Sequence, residues 1–350
     1  MNIATYTASA NIAVVKYWGK KNEKLILPYN NSLSFTMDDN LQTITTVMFC
    51  KSLSQDELWL NGKKIDLQQG KRSHLLPVDL IREKASIDLK ARIVSQNCFP
   101  TGAGFASSAS GVAALVCATT KALGLSLTGQ ELSILARQGS GSASRSVYGG
   151  FVEWLQGERV DGSDSYAVQI APHDHWPQLR NVIAVVETEE KKISSRHGMK
   201  TTTLTSPLYE KRLEYLKTLV PKMKEAVLKK DFATFAELTM RESNSMHASM
   251  LDTWPPIMYL SDGSREVIYT IENLNSELGK IVAGYTFDAG PNAHIYTTQE
   301  YVSIIKERLQ KISQLKNILV CQVGEGPKQI NDEKMFLIDP KNGNPKTLVQ

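Results

Sequence analysis

The segment PTGAGFASSAS, residues 100–110, decides how the first half of the chain is interpreted. It follows ARIVSQNCF (residues 91–99), a run typical of a β-strand, and precedes VAALVCATTKALG (residues 112–124), an alanine-rich run that predicts a helix. A small-residue loop at this position offers free backbone N–H groups and the positive end of the helix dipole to an anion. The segment therefore predicts a phosphate-binding loop, although a tightly packed helix start would also use small residues.

This loop differs from the two commonest phosphate-binding motifs. A Walker A loop requires Gly-Lys-Ser/Thr, and the dinucleotide fingerprint requires a third glycine where this chain has Ser107. Gly102 and Gly104 allow the backbone to approach a ligand closely, while Ser107 and Ser108 offer hydroxyls to phosphate or Mg²⁺. The motif favours a nucleotide but does not identify the reaction.

Outward from this loop, the first half of the chain reads as strands joined by turns. Asn61-Gly62 in DELWLNG is a hairpin signal, and Thr128 with Glu131 predicts a helix capping box. The other strand candidates are ITTVMFC (residues 44–50), FVEWLQG, YAVQIA and NVIAVVET.

The second half is richer in helices. The charged stretch EEKKISSRHGMK (residues 189–200) has no clear period, and we expect a loop and a domain boundary there. Beyond it, Ser206-Pro207 and Asp231 predict helix starts. The remaining candidates are helices over residues 207–250, 263–279 and 300–313 and the strands IVAGYTF, AHIYT and NILVCQV. We therefore expect an α+β fold with an N-terminal domain of residues 1–188, mixing sheet and helices, and a smaller helix-rich domain of residues 189–350.

Composition excludes several classes of protein. The 350 residues carry 40 Lys and Arg against 36 Asp and Glu, a net charge of +4 that provides no nucleic-acid-binding arm. The four cysteines are far apart, which is typical of thiols in a reducing compartment. Since no apolar run approaches the ~20 residues that span a bilayer and no signal peptide is recognisable, we expect a cytoplasmic protein without membrane or nucleic-acid partners.

Three segments concentrate side chains that suit an oxygen-rich anion. They are ANIAVVKYWGKK (residues 10–21), GSGSASRSVYGG (residues 139–150) and ISSRHGM (residues 193–199). The first places lysines in a stretch too apolar for a solvated charge run. Taken alone, GSGSASRSVYGG fits a flexible Ser/Gly loop with a solvated arginine equally well, and ISSRHGM fits an exposed hinge loop slightly better.

Asp288 in YTFDAGPNAH is the candidate catalytic carboxylate. An aspartate before Ala-Gly-Pro is commonly an ordinary turn residue. Its position at the end of an apolar strand, opposite segments rich in Lys and Arg, instead suggests a general base that cations keep ionised. The six histidines are scattered, so metal ligation by histidine is not expected.

Taken together, these motifs resemble a known family. The pattern P-x-x-x-G-x-x-S-S-A, with Phe105 where leucine is usual, resembles the nucleotide loop of the GHMP kinases. NIAVVKYWGK, GSGSASRS and TFDAGPNA resemble the mevalonate diphosphate decarboxylases of that superfamily, as do LWLNG, MHASMLDTWPPIMYL and CQVGEGP. The similarity runs in order from about Ala8 to Pro327.

This resemblance implies a two-lobed GHMP-kinase fold with the active site in the cleft, a homodimer, ATP and Mg²⁺ as cofactors, and mevalonate 5-diphosphate as substrate. It implies that ATP phosphorylates the 3-hydroxyl, after which loss of phosphate and CO₂ gives isopentenyl diphosphate, a precursor of isoprenoids and sterols. The implied catalytic residues are Asp288, Lys16, Arg145 and Ser107, with Ser107 also on the metal. The implied substrate-binding residues are Tyr17, Trp18, Gly19, Lys20, Arg72, Ser140, Gly141, Ser142, Ala143, Ser144, Arg145, Ser195, Arg196 and Met199. The implied nucleotide-binding residues are Asn97, Pro100, Gly102, Ala103, Gly104, Ala106, Ser107 and Ser108.

Three alternatives remain at this stage. A phosphomevalonate decarboxylase or a mevalonate 3-kinase would share most of these motifs, and a catalytically silent nucleotide-binding regulator could share the fold. No Asp or Glu occurs between Arg137 and Val152, the region from which ordinary GHMP kinases often draw their base, and this disfavours a plain kinase.

Overall fold

The computed structural model describes residues 2–67, 75–99, 107–186 and 193–346. Within them the strands are β1 Ile3–Ser9, β2 Asn11–Val15, β3 Lys20–Asn22, β4 Leu27–Pro28, β5 Ser32–Thr36, β6 Gln42–Cys50, β7 Glu57–Leu60, β8 Lys63–Ile65, β9 Lys90–Asn97, β10 Phe151–Trp154, β11 Ala167–Ala171, β12 Leu179–Val186, β13 Ala283–Phe287, β14 Ala293–Thr298, β15 Leu315–Cys321 and β16 Lys328–Ile330. The helices are α1 Leu76–Lys84, α2 Ser107–Ala122, α3 Gly129–Gly139, α4 Ala143–Ser146, α5 Ser195–Thr205, α6 Leu208–Lys229, α7 Phe232–Leu251, α8 Asp262–Glu277 and α9 Val302–Leu309. The fold is therefore α+β, as expected.

A six-stranded sheet in the order β16-β1-β6-β9-β7-β8 lies beneath α2. The face of α2 towards the sheet is rich in alanine, which allows the helix to lie close to β1 and β6. The β7–β8 hairpin turns through Asn61 and Gly62, both at positive φ (48° and 78°), which confirms the hairpin signal.

Two four-stranded sheets, β11-β10-β5-β2 and β13-β14-β12-β15, occupy the rest of the molecule. They share a buried core in which the rings of Phe35 on β5, Phe235 on α7 and Tyr296 on β14 pack at centroid distances of 5.2 to 5.5 Å. This shared core packs the first lobe against the second. No helix among the described ranges has the length and apolar character needed to cross a membrane.

Strand pairing divides the chain between the two lobes differently from the predicted domain boundary at residue 188. β12, which precedes residue 188, hydrogen-bonds to β14 and β15, and β16 returns to pair with β1. Pairing therefore places β12 with the second lobe and the segment around β16 with the first.

Several local predictions are confirmed. Thr128 and Glu131 form the capping box of α3, and Asp231 caps α7. The expectation of a loop over residues 189–200 is wrong for its described part, because α5 begins at Ser195 with the Ser194 hydroxyl as its cap. Ser206 is not the cap of α6, since its hydroxyl donates to Asp252 and the helix begins at Leu208. Sequence reasoning placed no elements at β1 to β5 or α1.

Candidate active site

A buried lysine and a half-exposed aspartate form the centre of the site. Lys16 follows the last residue of β2, and Asp288 follows the last residue of β13. The Lys16 Nζ donates to Asp288 Oδ1 at 2.7 Å, although 272 residues separate the two in sequence. The lysine side chain is 2% exposed and the aspartate 42%, so the carboxylate is the member that solvent or a ligand can reach.

Arg145 is a buried cation beside this pair rather than a solvated loop residue. It lies on α4, where its Nε donates to Asn11 Oδ1 at 3.1 Å and Ser34 Oγ at 2.9 Å, and its Nη1 donates to Ser32 Oγ. Burial lowers the pKa of its guanidinium to about 10, and the charge of Asp288 opposes this shift. The guanidinium is therefore fixed in orientation within the electrostatic reach of Asp288.

The serine-rich segment links this centre to the start of α2. Ser140 Oγ donates to Ser108 Oγ at 3.5 Å and lies 3.3 Å from Ser142 Oγ. The Ser142 carbonyl accepts a 3.0 Å hydrogen bond from Asn11, the residue that also holds Arg145. A Cβ on Gly141 would lie 2.8 Å from the ring of Tyr17, so the close approach at this position requires glycine. The structure thus brings three distant sequence motifs together.

Tyr17, Trp18 and Gly19 form the side of the site nearest α5. The Tyr17 hydroxyl is buried, and burial raises its pKa well above the usual range, with Arg145 and Arg196 near enough to oppose that shift. Trp18 packs in a cluster with Met199 of α5. Gly19 has φ +107°, which favours glycine. Ser195 and Arg196 are the first two residues of α5, and Arg196 is near enough to Tyr17 to affect its pKa.

Some predicted site residues use their polar groups within the protein. The Lys20 Nζ donates to Glu23 Oε2 at 2.6 Å, and the hydroxyl of Ser144 donates to the Gly141 carbonyl at 2.7 Å. Ser144 and Ala143 are completely buried. These contacts shape the segment that carries Ser140 and Ser142.

Only one edge of the predicted phosphate loop can be described. Ser107 and Ser108 begin α2, and Asn97 ends β9, where its side chain accepts a 3.0 Å hydrogen bond from Thr43. The remaining predicted residues, Arg72, Pro100, Gly102, Ala103, Gly104 and Ala106, lie outside the described residues. In the parts of the chain that the structure covers, no three His, Cys, Asp or Glu side chains form a metal-binding group.

A second layer of buried ionisable groups lies behind Lys16 and Asp288, and sequence reasoning missed it. Glu242 on α7 is ion-paired with Arg212 on α6, and both side chains are almost completely inaccessible. Burial lowers the pKa of both His247 and His294 to about 4, and Lys16 contributes to each shift in the same direction. The scattered histidines therefore include two neutral ones packed behind the reacting groups.

Chemically, this arrangement can bind anions and move a proton. Arg145 and the serine hydroxyls suit phosphate or carboxylate oxygens, and the start of α2 adds a helix N-terminus. Asp288, held by a buried ammonium, is an exposed carboxylate suited to accept a proton from a hydroxyl.

Comparisons with known proteins agree across both lobes. Residues 8–167 match the family model described as the diphosphomevalonate decarboxylase-like N-terminal domain, and residues 181–317 match the mevalonate 5-diphosphate decarboxylase C-terminal domain. The diphosphomevalonate decarboxylase of Candida albicans is 43% identical over 361 residues, which cover 95% of this chain and 99% of the relative.

Solved structures extend this similarity to three dimensions. The crystal structure of mevalonate diphosphate decarboxylase from Staphylococcus aureus superimposes with a TM-score of 0.87 at 38% identity, covering 94% of this chain and 98% of that one. A structure described as MDDEF in complex with MVAPP, AMPPCP and magnesium has a TM-score of 0.86 at 36% identity, covering 94% and 98% of the two chains.

Proposed function

We propose roles for the site residues of this chain, which belongs to the diphosphomevalonate decarboxylase family and has the two-lobed fold of the GHMP kinases. The enzyme uses ATP and Mg²⁺ to convert mevalonate 5-diphosphate into isopentenyl diphosphate, ADP, phosphate and CO₂. The observation that carries the assignment of roles is the contact between Lys16 and Asp288 beside the buried guanidinium of Arg145.

Asp288 is the group that receives or orients the proton of the substrate 3-hydroxyl. Its exposed carboxylate can approach an alcohol, and Lys16 favours the ionised form that a general base needs. Phosphoryl transfer has a loose transition state, so most of the protein's contribution is alignment and charge neutralisation. When phosphate leaves, positive charge develops at C3, and Asp288 can stabilise that charge once its proton has passed to the phosphate and the carboxylate is ionised again.

Arg145 and the residues around it bind the anionic groups of the substrate. A guanidinium held by several hydroxyl and amide oxygens keeps one orientation, which suits bidentate binding of a carboxylate or diphosphate. We assign the same task to Ser140 and Ser142, to Tyr17, whose ring packs against Gly141 between them, and to Arg196. Because Lys20 is paired with Glu23, its binding to substrate would require exchange of that partner.

The start of α2 binds the phosphates of ATP. Ser107 and Ser108 are the first residues of that helix, where unpaired backbone N–H groups and the helix dipole favour anions. Without a cluster of metal-binding side chains among the described residues, Mg²⁺ would be held by phosphate oxygens together with the Ser107 hydroxyl.

A coupled assay tests this function against its nearest alternatives. The purified enzyme is given ATP, Mg²⁺ and, separately, mevalonate, its 5-phosphate and its 5-diphosphate, while ADP and CO₂ are measured. We expect both products with the 5-diphosphate alone. ADP without CO₂ would indicate a 3-kinase, CO₂ from the 5-phosphate would indicate a phosphomevalonate decarboxylase, and no turnover would indicate a silent regulator.

We also propose that the enzyme is a cytoplasmic homodimer that supplies precursors for isoprenoids and sterols. The resemblance of the whole chain to its family supports this proposal. Light scattering would give the assembly state in solution, and a single-chain mass would contradict the dimer.

A further inference from the structure

The paired strands β5 and β10 present one face to Arg145. In their antiparallel register Trp154 lies opposite Ser32, and Val152 lies opposite Ser34. Residues two apart on a strand share a face, and so do residues directly opposite each other on an antiparallel pair. Ser32, Ser34 and Trp154 therefore lie on the same face. It is the face on which the two serine hydroxyls accept hydrogen bonds from the guanidinium of Arg145.

The indole of Trp154 is the aromatic neighbour of this guanidinium. The Cζ of Arg145 lies 5.9 Å from the centroid of the ring, within the ~6 Å at which a cation is attracted by the electron-rich face of an aromatic group. Arg145 is 3% exposed and Trp154 is 0% exposed. The attraction is stronger in such a place than at the surface, because little water screens it.

Three contacts fix the position of the Trp154 ring. Its Nε1 donates a 3.1 Å hydrogen bond to Ser165 Oγ. The ring of Tyr17 packs edge-on against it at a centroid distance of 4.8 Å. A Cβ on Gly141 would lie only 3.0 Å from the indole, so the serine-rich segment approaches it closely as well. The ring cannot turn away from Arg145 without displacing these neighbours.

A neutral aromatic face leaves the hydrogen-bond donors of this arginine available. In the described parts of the chain, the guanidinium contacts neutral groups, namely those of Asn11, Ser32, Ser34 and Trp154. A carboxylate in the place of the indole would occupy N–H donors and compete with an anionic substrate, whereas an aromatic face stabilises the charge and uses no donor. The Nη2 group makes no hydrogen bond to the described residues, so it can donate to a carboxylate or diphosphate oxygen.

We propose that Trp154 is a positioning residue for substrate binding: its ring holds the Arg145 guanidinium in one orientation and stabilises its charge without using its N–H donors. This inference rests on the proposed role of Arg145 in binding the anionic groups of the substrate. Since Arg145 is assigned to the substrate rather than to the nucleotide, weakening the ring's attraction should affect the use of mevalonate 5-diphosphate and spare the binding of ATP.

The test changes the electron density of the ring and nearly keeps its shape. Tryptophans carrying one, two and three fluorine atoms are introduced at position 154 alone, because each fluorine withdraws electrons from the ring face and weakens its attraction for a cation. Fluorination is preferred to truncation, since a cavity in place of a completely buried ring would destabilise the fold. We expect kcat/KM for mevalonate 5-diphosphate to fall stepwise, by about tenfold in total, while KM for ATP changes less than about twofold.

The matched control is the same fluorine series at Trp176. This tryptophan is also buried, but its ring packs against Phe232 and Phe235 in the shared core. There kcat/KM should stay within about twofold of the wild type, because no cation depends on the electron density of that ring.

A double-mutant cycle shows whether the ring acts through Arg145. In the Arg145→Ala background the stepwise fall at position 154 should disappear, because the cation on which the ring acts is gone. A kcat/KM that does not change with fluorination, a fall that persists in Arg145→Ala, or an equal fall at Trp176 would overturn the proposal. Failure of the proposed function would be seen separately: wild-type constants in Arg145→Ala would reject the role of Arg145 itself, and absence of CO₂ release by the wild type would reject the reaction.

Discussion

Replacing His294 by glutamine is expected to weaken the acid dependence of the protein's stability. His294 lies on β14, almost completely buried, with its Nδ1 3.1 Å from Asn181 Nδ2. Burial lowers its pKa from 6.5 to about 4, helped by Lys16 and opposed by Asp288. As the pH falls below about 6.5, His294 therefore gains a proton in the unfolded chain, whereas in the folded protein it does not accept one until about pH 4. The free energy of unfolding falls across that pH range.

The size of the effect follows from the shift in pKa. At about 1.4 kcal/mol per pKa unit, His294 contributes a loss of about 3 kcal/mol over the whole window and about 2 kcal/mol between pH 7 and pH 5. Urea unfolding followed by tryptophan fluorescence at both pH values measures this loss directly. The wild type should lose about 2 kcal/mol more than His294→Gln on going from pH 7 to pH 5.

The control is Val182→Ala on β12, a buried residue paired in register with Ile295 of β14. It should lower the free energy of unfolding at both pH values by a similar amount, because it removes buried methyl groups and no titratable group. Equal pH-dependent losses in the wild type and His294→Gln would refute the reasoning, since the buried imidazole would then not be the source of the acid sensitivity.

Three further substitutions test the site and its frame. Asp288→Asn should lower kcat at least ~10²-fold with modest change in KM, because an amide cannot accept the hydroxyl proton; near-normal rates of CO₂ release would reject that role. Arg145→Ala should lower kcat/KM more than ~10-fold by removing a preoriented guanidinium, and unchanged steady-state constants would count against it. Thr128→Ala should leave kcat unaltered and cost about 1 kcal/mol of unfolding free energy in urea, since the capping box lies at the far end of α3 from Ser140; a change in kcat would contradict this.

Elements with a local physical cause could be predicted from the sequence. Asn61-Gly62 accepts the positive φ values of its hairpin, and the Thr128 hydroxyl satisfies a free N–H group at the start of α3. α5 has a cap of this kind in Ser194, but no helical period follows it in the sequence. Its buried positions are Gly198, Met199 and Thr202, a set with too little apolar character to produce a helical period.

The contacts that assemble the site depend on tertiary structure and escape local rules. Nothing near Lys16 in sequence indicates that its partner lies 272 residues away; the resemblance to a family supplied both residues without their geometry. Arg212 and Glu242 lie on the long helices α6 and α7, and a charge on such a helix is ordinarily expected to face solvent. Packing of α7 against α6, β13 and β2 places these two charges inside the protein.

The unequal exposure of Lys16 and Asp288 has a consequence for the direction of proton transfer. Lys16 is 2% exposed, so water does little to stabilise its charge, whereas Asp288 is 42% exposed towards the cleft. In the proposed mechanism, once Asp288 accepts a proton from the substrate, Lys16 and Arg145 face a neutral carboxyl and lose a counter-charge in a poorly hydrated region. That imbalance favours transfer of the proton onward, to departing phosphate or to water, and returns Asp288 to the ionised form for the next cycle.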